Sequence, residues 1–386
     1  MCQTQRYSCV ICVNHALWCA RRWVYVVRKA LGRREDMFTQ LQEFERRLDG
    51  DLILPPETPA FCAAVLRRLN FVFVGRPSVV PGLVVAGGLL TDGTPVSGAG
   101  QRRTGALIRL AGEAAEQLGL RAAVDGLPRD QDVPVLDWQG ARTGGLDRDV
   151  LPLSSSETAG FSEGLAAHVA FSEAVDHGVL ELFERDAAAH WWAGATKAVL
   201  LSGTDDMVDG MLGAGRTRST RILDVTCDTG VPAVVAASFD AQGGGFCFGA
   251  AARVSLVAAV EAAIRELGAA EFGLALERSR GTDMISNDTG LTAQTLTLAQ
   301  LETDMVGDCR SLQSQTEMCT SMPKQAWPDV LQENGIGIVD LGCVEGQFRV
   351  IKAVSAALQL GRETHVCPRF ASALTGIRRQ TQGPLY

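Results

Sequence analysis

Acidic side chains stand out in the segment HGVLELFERDAAAHWW, residues 177–192, which is otherwise rich in Ala, Leu and Val. Glu181 and Glu184 are three residues apart, so they share one face of a helix, and Arg185 follows directly. Apolar residues flank this face on both sides, and a charge on a largely buried helix needs a compensating partner. Two carboxylates this close repel each other, and a bound cation would relieve the repulsion.

The combination of a glycine and a later acid occurs three times along the chain. In each case a glycine-bearing turn leads into an Ala-rich helix: SGAGQRRTGALIRLAGEAAEQ, FSEGLAAHVAFSEAVDHGVLELFER and FGAAARVSLVAAVEAAIRELGAAE. Seventeen residues separate Gly164 from Glu181, and the same interval separates Gly249 from Glu266. This regularity predicts related structural units that bring their acids to one place. The other members of the pattern are Gly98, Gly100, Glu113, Glu116 and Glu184.

Convergent glutamates are typical of a magnesium-nucleotide site. Mg²⁺ is usually held by one or two protein carboxylates together with the phosphates of a substrate, and Arg185 is suited to contact such a phosphate. The ordinary alternative is a solvated acidic helix face. The sequence contains no Walker loop, G-x-S-x-G turn or triad motif, so nucleophilic catalysis by the chain itself has little support. His168 and His177 flank the acid helix as pocket residues or as ordinary structural histidines.

The composition restricts the class of protein. A chain of 386 residues that are 46% hydrophobic can bury a substantial core. A formal net charge of -8 and a pI near 5.3 argue against nucleic-acid binding. Eleven scattered cysteines without a secretory signal favour a reduced, cytoplasmic protein with free thiols. Arg21 and Arg22 interrupt the apolar segment near the start of the chain, so no membrane span is predicted.

The first part of the chain differs in texture from the rest. Residues 1–36 form an irregular extension rich in Cys, Trp and Arg, and the segment MFTQLQEFERRL from Met37 predicts an amphipathic helix. That helix would begin an N-terminal helical and strand segment over residues 37–90. A zinc site in the extension is an alternative to a bland tail, because two of its cysteines have a C-x-x-C spacing. Its ligands would come from Cys2, Cys9, Cys12, His15 and Cys19.

Residues 91–375 are expected to form the main domain, and residues 376–386 a C-terminal tail. Short apolar runs such as FVFVG, GLVVAGG, RILDVT, PAVVAASF, GIGIVDLG and FRVIKAV alternate from about residue 60 with Ala-rich helices, which is an α/β or α+β pattern. The polar segment 276–325 predicts a looser connection or a short helical insert.

These motifs resemble those of the YcaO family from about residue 95 to residue 358. FSEGLAAHVAFSEAVDHGVLELFERDAAAHWW is similar to the central signature, a Ser-Asn-Gly-Leu-Ala turn before a helix ending Glu-x-x-Glu-Arg-Asp-Ala and a Trp pair. SGAGQRRTGALIRLAGEAAEQ resembles the first motif, Gly-Lys-Gly before a helix ending Glu-x-x-Glu-Arg. ILDVTCDTGVPAVVAASFD, FGAAARVSLVAAVEAAIREL and GIGIVDLGCVEGQFRVIKAVSAAL resemble the strand-turn-strand, the third acid helix and the closing β unit.

The resemblance implies an α+β fold of mixed β-sheets flanked by Ala-rich helices that carry convergent acids. Family members bind ATP and Mg²⁺ through such glutamates and phosphorylate a peptide amide oxygen after a nucleophile has added to the amide carbon. With a Cys, Ser or Thr side chain of the substrate as nucleophile, the product is an azoline ring. The resemblance assigns Glu113, Glu116, Glu181, Glu184 and Glu266 to metal and phosphate, Arg185 and Arg278 to phosphate charge, and Ser162 and Gly164 to a nucleotide-facing turn.

Four positions depart from the family pattern. Ala99 stands for the lysine of Gly-Lys-Gly, Gln117 for the arginine after the first acid pair, Glu163 for the asparagine of the turn, and Ala269 for a glutamine beyond the third acid. These exchanges make a triphosphate pocket less positive by roughly two to three charges, which leaves the affinity for ATP open. The chain ends in RRQTQGPLY and lacks the proline-rich tail of many azoline-forming members.

Three functions follow as hypotheses. The first is cyclodehydration of a ribosomally made precursor peptide of antibiotic type. The second is thioamidation with a sulfur-delivery partner, and the third is a scaffold subunit without productive ATP chemistry. No leader-binding module is recognised over residues 1–90, so a separate partner protein or the extension is expected to bind the precursor. Apolar faces on the Ala-rich helices favour a homodimer.

Overall fold

The computed structural model describes residues 41–47, 58–126, 132–146, 163–279, 296–312 and 327–358, which form three β-sheets and seven α-helices. The strands are β1 (Leu41–Arg47), β2 (Leu69–Pro77), β3 (Val84–Leu90), β4 (Pro95–Gly100), β5 (Val133–Leu136), β6 (Arg142–Leu146), β7 (Leu165–His168), β8 (Ala198–Ser202), β9 (Ser219–Asp224), β10 (Ala233–Phe239), β11 (Cys247–Ala252), β12 (Val306–Ser311), β13 (Gly337–Val344) and β14 (Phe348–Val354). The helices are α1 (Ala60–Leu66), α2 (Arg103–Gly126), α3 (Phe171–Trp192), α4 (Asp205–Leu212), α5 (Leu256–Ser279), α6 (Leu298–Gln300) with a π-helical turn (Leu301–Met305), and α7 (Trp327–Glu333).

Each sheet ends on a strand that leads into an acid-bearing helix. Sheet 1 has the antiparallel order β1-β2-β3-β4, and sheet 2 the antiparallel order β6-β5-β13-β14-β7. Sheet 3 has the order β11-β10-β9-β8-β12, in which only the pairing of β8 with β12 is parallel. The edge strands β4, β7 and β11 are followed directly by α2, α3 and α5. The prediction of an α+β fold with mixed sheets is confirmed.

The three acid-bearing helices pack in a cyclic arrangement. Helix α2 packs on β3 and β4 of sheet 1 and on β7, β13 and β14 of sheet 2. Helix α3 packs on β7 and β14 of sheet 2 and on β10 and β11 of sheet 3. Helix α5 packs on β10 and β11 of sheet 3 and shares a core with sheet 1, where Leu256 and Ala259 join Phe71 and Phe73. Every unit thus bridges its own sheet to the next, which confirms that the recurrence reflects related structural units.

Glycines allow the strand and helix of each unit to approach closely. A Cβ at Gly249 of β11 would lie 2.2 Å from the backbone N of Leu267 on α5, and one at Gly98 of β4 would lie 2.4 Å from the carbonyl O of Ala106 on α2. Gly164 has a φ of +74°, and a Cβ there would lie 2.3 Å from the carbonyl O of Ala353. Because backbone atoms cannot move aside, only glycine fits these positions.

The helix predicted from Met37 is wrong over its described part, because residues 41–47 form strand β1. This strand pairs antiparallel with β2, and Glu45 lies opposite Val74 while Arg46 lies opposite Phe73. The apolar strand β2 offers unpaired backbone groups at its outer edge, and pairing with them outweighs the helical periodicity of the sequence. A charged outer strand also suits a sheet edge, since it discourages further pairing.

The remaining apolar runs form strands as predicted. FVFVG lies in β2, GLVVAGG in β3, RILDVT in β9 and PAVVAASF in β10, while GIGIVDLG and FRVIKAV form the β13-β14 pair. The described part of segment 276–325 holds the end of α5, the helical turns at 298–305 and β12. None of the described helices is both long and apolar enough to cross a membrane.

Candidate functional site

The glutamates of the three units converge. Glu113 and Glu116 come from α2, Glu181 and Glu184 from α3, and Glu266 from α5. Glu116 lies close enough to Glu181 and Glu113 for their charges to interact, and Glu184 interacts in the same way with Glu181 and Glu266. The cyclic packing of the helices therefore gathers all five predicted acids into one cluster, here called the acid cluster.

Two members of the acid cluster, Glu116 and Glu184, bind protons more tightly than isolated carboxylates do. Burial raises the pKa of Glu116 well above its ordinary value, and the charges of Glu181 and Glu113 raise it further. Burial also raises the pKa of Glu184 to about 7; Arg185 opposes this change and Glu181 adds to it. Without a cation, Glu116 and Glu184 therefore hold protons near neutral pH, since crowded carboxylates cannot all ionise freely.

Specific contacts orient the acids. The backbone N of Ser97 donates to Glu113 Oε2 at 2.9 Å, and Ser97 Oγ donates to the same oxygen at 3.3 Å. Arg185 lies 3.1 Å from Glu181 Oε1 and 3.4 Å from Glu184 Oε1, and its side chain is only 6% exposed. Burial favours the neutral form of Arg185, but Glu184 and Glu181 outweigh it, so its pKa lies above the ordinary value. The charged guanidinium thus fixes both acids of α3.

Two histidines lie beside the acid cluster on β7 and α3. The rings of His168 and His177 meet edge to face with 5.7 Å between centroids, and His168 Nδ1 accepts from the backbone N of Ala170 at 3.2 Å. Burial lowers the pKa of His177, and the charges of Arg253 and His168 lower it further. A neutral imidazole at His177 leaves a polar group that both donates and accepts hydrogen bonds beside the acids.

Three arginines near the acid cluster were missed by the sequence analysis. Arg109 on α2, Arg253 after β11 and Arg265 on α5 interact electrostatically with one another, and Arg109 and Arg265 also interact with Glu266. Two of them lie close to an acid motif in the sequence, because Arg109 precedes Glu113 by four residues and Arg265 directly precedes Glu266. That proximity was the available signal. The three residues are here called the arginine cluster.

A cavity of about 700 Å³ adjoins the arginine cluster. Arg109 and Arg265 line it, as do Arg102 and Arg103 at the start of α2. Glu261 of α5 also lines it, and Met207 and Met211 of α4 supply apolar surface. Four guanidinium groups against one carboxylate make the cavity basic, although the chain as a whole is acidic.

The remaining predicted site residues lie elsewhere. Arg278 is exposed near the end of α5, about 18 Å along the helix from Glu266, and its Nη2 lies 3.6 Å from Asp240 Oδ2. The structure therefore does not bring it to the acid cluster. Gly164 is buried, and its carbonyl O accepts from the N of Ala353 at 2.7 Å. This contact with β14 accounts for the conformation of Gly164. A contact between Gly164 and a nucleotide stays a prediction. Ser162 and the cysteines and histidine of the N-terminal extension lie outside the described residues.

The four departures have separate structural settings. Ala99 and Ala269 both pack on the apolar core that α5 shares with sheet 1, so neither side chain belongs to the acid cluster. Gln117 is half-buried on α2. Glu163 is buried at 1% exposure, but its charge interacts with Arg185, and the Nζ of buried Lys352 donates to its carbonyl O at 2.9 Å. The added acid therefore lies beside a cation.

The described residues contain no group of three or more His, Cys, Asp or Glu side chains arranged to hold a metal by themselves. A magnesium ion that shares its coordination with phosphates requires only one or two carboxylates. The acid cluster fits that requirement, because its crowded glutamates are stabilised by any cation that binds between them.

Comparison with known proteins identifies a family that part of the chain resembles. Residues 149–330 match the family described as YcaO cyclodehydratase, which binds ATP and Mg²⁺. No curated protein sequence matches the chain significantly. The matched region covers just under half of the chain, and the fold agrees with that of solved YcaO structures.

Solved structures share the fold. YcaO from Methanopyrus kandleri, bound with AMPPCP and Mg²⁺, is 17% identical with a TM-score of 0.57, over 83% of this chain and 95% of that chain. A heterocyclase in complex with substrate and cofactor is 17% identical with a TM-score of 0.55, over 83% of this chain and 50% of that one. The chain thus spans half the length of that heterocyclase. The E. coli microcin synthetase McbBCD complex with pro-MccB17 bound is 15% identical with a TM-score of 0.51, over 75% of this chain and 88% of that chain.

Proposed function

We propose that the protein uses ATP and Mg²⁺ to activate backbone amides of a ribosomally made precursor peptide and closes azoline rings by cyclodehydration. The observation that carries the proposal is the acid cluster, in which three separate units of the fold deliver five glutamates to one place. The family description, which names ATP and Mg²⁺, supports the assignment of this cluster to a metal-nucleotide.

The residues of the cluster have distinct roles in this proposal. Glu113, Glu116, Glu181, Glu184 and Glu266 would hold Mg²⁺ together with the phosphates of the nucleotide, and Arg185 keeps the two acids of α3 in place. ATP, when bound, would supply the phosphoryl group that makes the amide oxygen a good leaving group. The attacking Cys, Ser or Thr side chain belongs to the peptide, in keeping with the absence of a nucleophilic motif in the sequence.

A scaffold without ATP chemistry is less well supported. Retaining the acid cluster costs free energy in the absence of a ligand, because burial and mutual repulsion both disfavour the ionised glutamates. A chain that no longer bound a cation would be more stable with neutral residues at these positions. Thioamidation would use the same site, and the product distinguishes it from ring closure.

The peptide and a partner protein complete the proposed reaction. A structure in which the E. coli microcin synthetase complex holds pro-MccB17 supports a precursor peptide as substrate and a multiprotein assembly as the working form. We propose a separate leader-binding protein for this chain as well, acting in the cytoplasm. A homodimer stays a prediction.

Isothermal titration with AMPPCP and Mg²⁺ tests the nucleotide site. The wild-type chain is expected to bind in the micromolar range (about 1–100 μM, typical of nucleotide substrates). A Glu181→Gln, Glu184→Gln variant is expected to lose measurable binding, while a Glu302→Gln variant, changed at an exposed ion pair, is expected to bind as the wild type does. Equal binding by the wild type and the double variant would refute the assignment.

The second test is the product. The chain, the partner and a precursor rich in Cys and Ser are incubated with ATP and Mg²⁺, and the peptide mass is measured. Cyclodehydration removes one water per ring, whereas thioamidation exchanges one oxygen for sulfur without loss of water. ATP consumption without either mass change would exclude both enzyme functions for that peptide.

A further inference from the structure

Arg109 is exposed and Arg253 and Arg265 are half-buried, and all three lack the close carboxylate partners that the buried side chains of Arg185 and Arg216 have. Among the described residues, neither Arg109, Arg253 nor Arg265 has a carboxylate within 4.0 Å. Arg109 Nη1 donates to the carbonyl O of Gly105 at 3.1 Å, and Arg253 Nη1 donates to that of Ala252 at 2.6 Å. The hydrogen bonds of Arg109 and Arg253 to protein therefore go to uncharged backbone, and none of the three guanidinium groups forms a close ion pair with a described residue.

The three arginines also repel one another. Burial lowers the pKa of Arg109 to about 10, and the charges of Arg265 and Arg253 contribute to the decrease, while Glu266 opposes it. The pKa of Arg265 is lowered by burial and by Arg253, and Glu266 and Glu261 oppose the decrease. Arg109 and Arg265 line the basic cavity with Arg102 and Arg103. Cations that face one another beside this cavity form a binding site for an anion of several charges.

The position of the cluster identifies the anion. Arg253 interacts with Glu184, and Arg109 and Arg265 interact with Glu266, so the arginine cluster and the acid cluster adjoin. A ligand between them must present negative oxygens to the arginines and bind metal ions that the glutamates hold. A nucleotide polyphosphate with Mg²⁺ has both properties, whereas a peptide carboxylate has only the first.

We propose that Arg109, Arg253 and Arg265 hold the phosphate chain of the nucleotide and take the place of the lysine and arginine found in the family motifs. This inference rests on the proposed function. The neighbours of Ala99 cannot supply the charge of the missing lysine, because Ala99 packs among apolar core residues. Three new cations match the loss of roughly two to three positive charges that the departures imply. The nucleotide pocket thus keeps its charge, with the cations carried by α2, α5 and the end of β11.

Titration calorimetry of single variants tests this inference. Arg265→Gln and Arg109→Gln are each expected to weaken binding of AMPPCP with Mg²⁺ by about tenfold or more, and to change binding of AMP by less than about threefold, since AMP lacks the outer phosphates. Arg265→Lys keeps the charge and is expected to recover part of the affinity. Arg221→Gln, which removes an arginine paired with Glu302 on sheet 3, is the matched control and is expected to bind as the wild type does.

Salt dependence and folding provide further readouts. Binding of AMPPCP by the wild type should weaken as the salt concentration rises. The affinity of the arginine variants should depend less on salt, because fewer phosphate charges are paired. No ion pair is lost in these variants, so their melting temperatures without nucleotide should equal or exceed that of the wild type. A melting temperature well below the wild type would contradict the picture of an unpaired cluster.

Other outcomes separate this inference from the proposed function. If Glu181→Gln, Glu184→Gln abolishes binding but the arginine variants bind AMPPCP as the wild type does, the inference is wrong and the proposed function stands. If the arginine variants weaken only the binding of the precursor peptide, the cluster is a peptide site and the inference is again wrong. If the wild type binds no nucleotide, both fail.

Discussion

Helix α5 carries two acids that illustrate opposite uses of charge. Glu271 is buried at 2% exposure between two arginines, forming an ion pair with Arg216 and lying 3.4 Å from Arg218 Nε. Glu266, five residues earlier, lies on another face of the helix and is exposed, and its charge interacts with Glu184 of α3 and with Arg109 and Arg265. One acid is paired by the protein, and the other belongs to a group whose charges the protein leaves unbalanced.

The difference separates structural charge from charge reserved for a ligand. A buried ion pair is completed within the fold, so removing one partner leaves an uncompensated charge and destabilises the protein. A cluster of like charges is destabilising until a ligand of opposite charge binds, so neutralising one member relieves the fold. The acid and arginine clusters are both of this second kind, and they adjoin each other.

The largest expected effect is the loss of the structural pair. Glu271→Gln should lower the free energy of unfolding by about 3–5 kcal/mol, because Arg216 and Arg218 lose their shared carboxylate. Glu266→Gln makes the same chemical change on the same helix and should alter it by less than about 1 kcal/mol. Urea unfolding of both variants checks the contrast, and equal losses would remove the distinction between the two acids.

The second prediction concerns pH. The carboxyl of Glu184 has a pKa of about 7 in the folded protein against an ordinary 4.5, so the folded state binds its proton more tightly than the unfolded state does. The stabilisation is complete below pH 4.5 and is lost as pH rises to about 7, an effect of roughly 1–3 kcal/mol. Glu184→Gln should remove this dependence of the free energy of unfolding on pH.

Urea unfolding without nucleotide between pH 5 and 8 measures the difference between wild type and variant. Because every other group is common to both proteins, the difference isolates Glu184 and the acids coupled to it. A difference that grows with pH, with the variant the more stable protein at pH 8, is expected. A wild type that gains stability relative to the variant as pH rises would show that the acid cluster is already compensated.

The third prediction tests the packing that brings the acids together. Gly249→Ala should destabilise the protein by about 1–3 kcal/mol, because the added Cβ would lie 2.2 Å from the N of Leu267 on the rigid backbone of α5. It should also weaken Mg²⁺-AMPPCP binding, since Glu266 moves with the helix. Gly112→Ala on α2 is the control, because nothing lies within 4 Å of its added Cβ. That variant should be equal to or up to about 1 kcal/mol more stable than the wild type.

The smallest effect is expected at the surface. Arg221 and Glu302 form an ion pair at 2.9 Å with side chains 32% and 46% exposed. Glu302→Gln should change the free energy of unfolding by less than about 1 kcal/mol, and the change should shrink further in high salt. A loss as large as that of Glu271→Gln would show that burial does not explain why the Glu271 ion pair stabilises the protein more than the exposed pair of Arg221 and Glu302.

Several features of the site could be predicted without the structure because they are local. The seventeen-residue interval from Gly164 to Glu181 and from Gly249 to Glu266 spans strand residues, a short connection and the first half of a helix. Periodicity places the paired acids on one face of each helix, and apolar runs mark most of the strands. The helix predicted from Met37 failed because an edge strand depends on its partner β2, which the local pattern does not contain.

The arginine cluster was missed because its members are distant in the sequence. Arg109 and Arg253 come from different units, and only the packing of α2 and α5 against neighbouring sheets brings them together. Arg278 shows the opposite case. It lies on the same helix as Glu266, which suggested a shared site, but about three helical turns separate the two residues.

The sequence by itself determined the three glycine-acid units and the chemistry of their carboxylates, because turn, helix and spacing depend on neighbouring residues alone. The tertiary structure decided that the units face one another around a cycle of sheets. It also decided that Ala99 lies in the core and that three arginines adjoin the acids. Long-range packing sets these relations, because the burial and the charge environment of a residue come from elements that are remote in the chain.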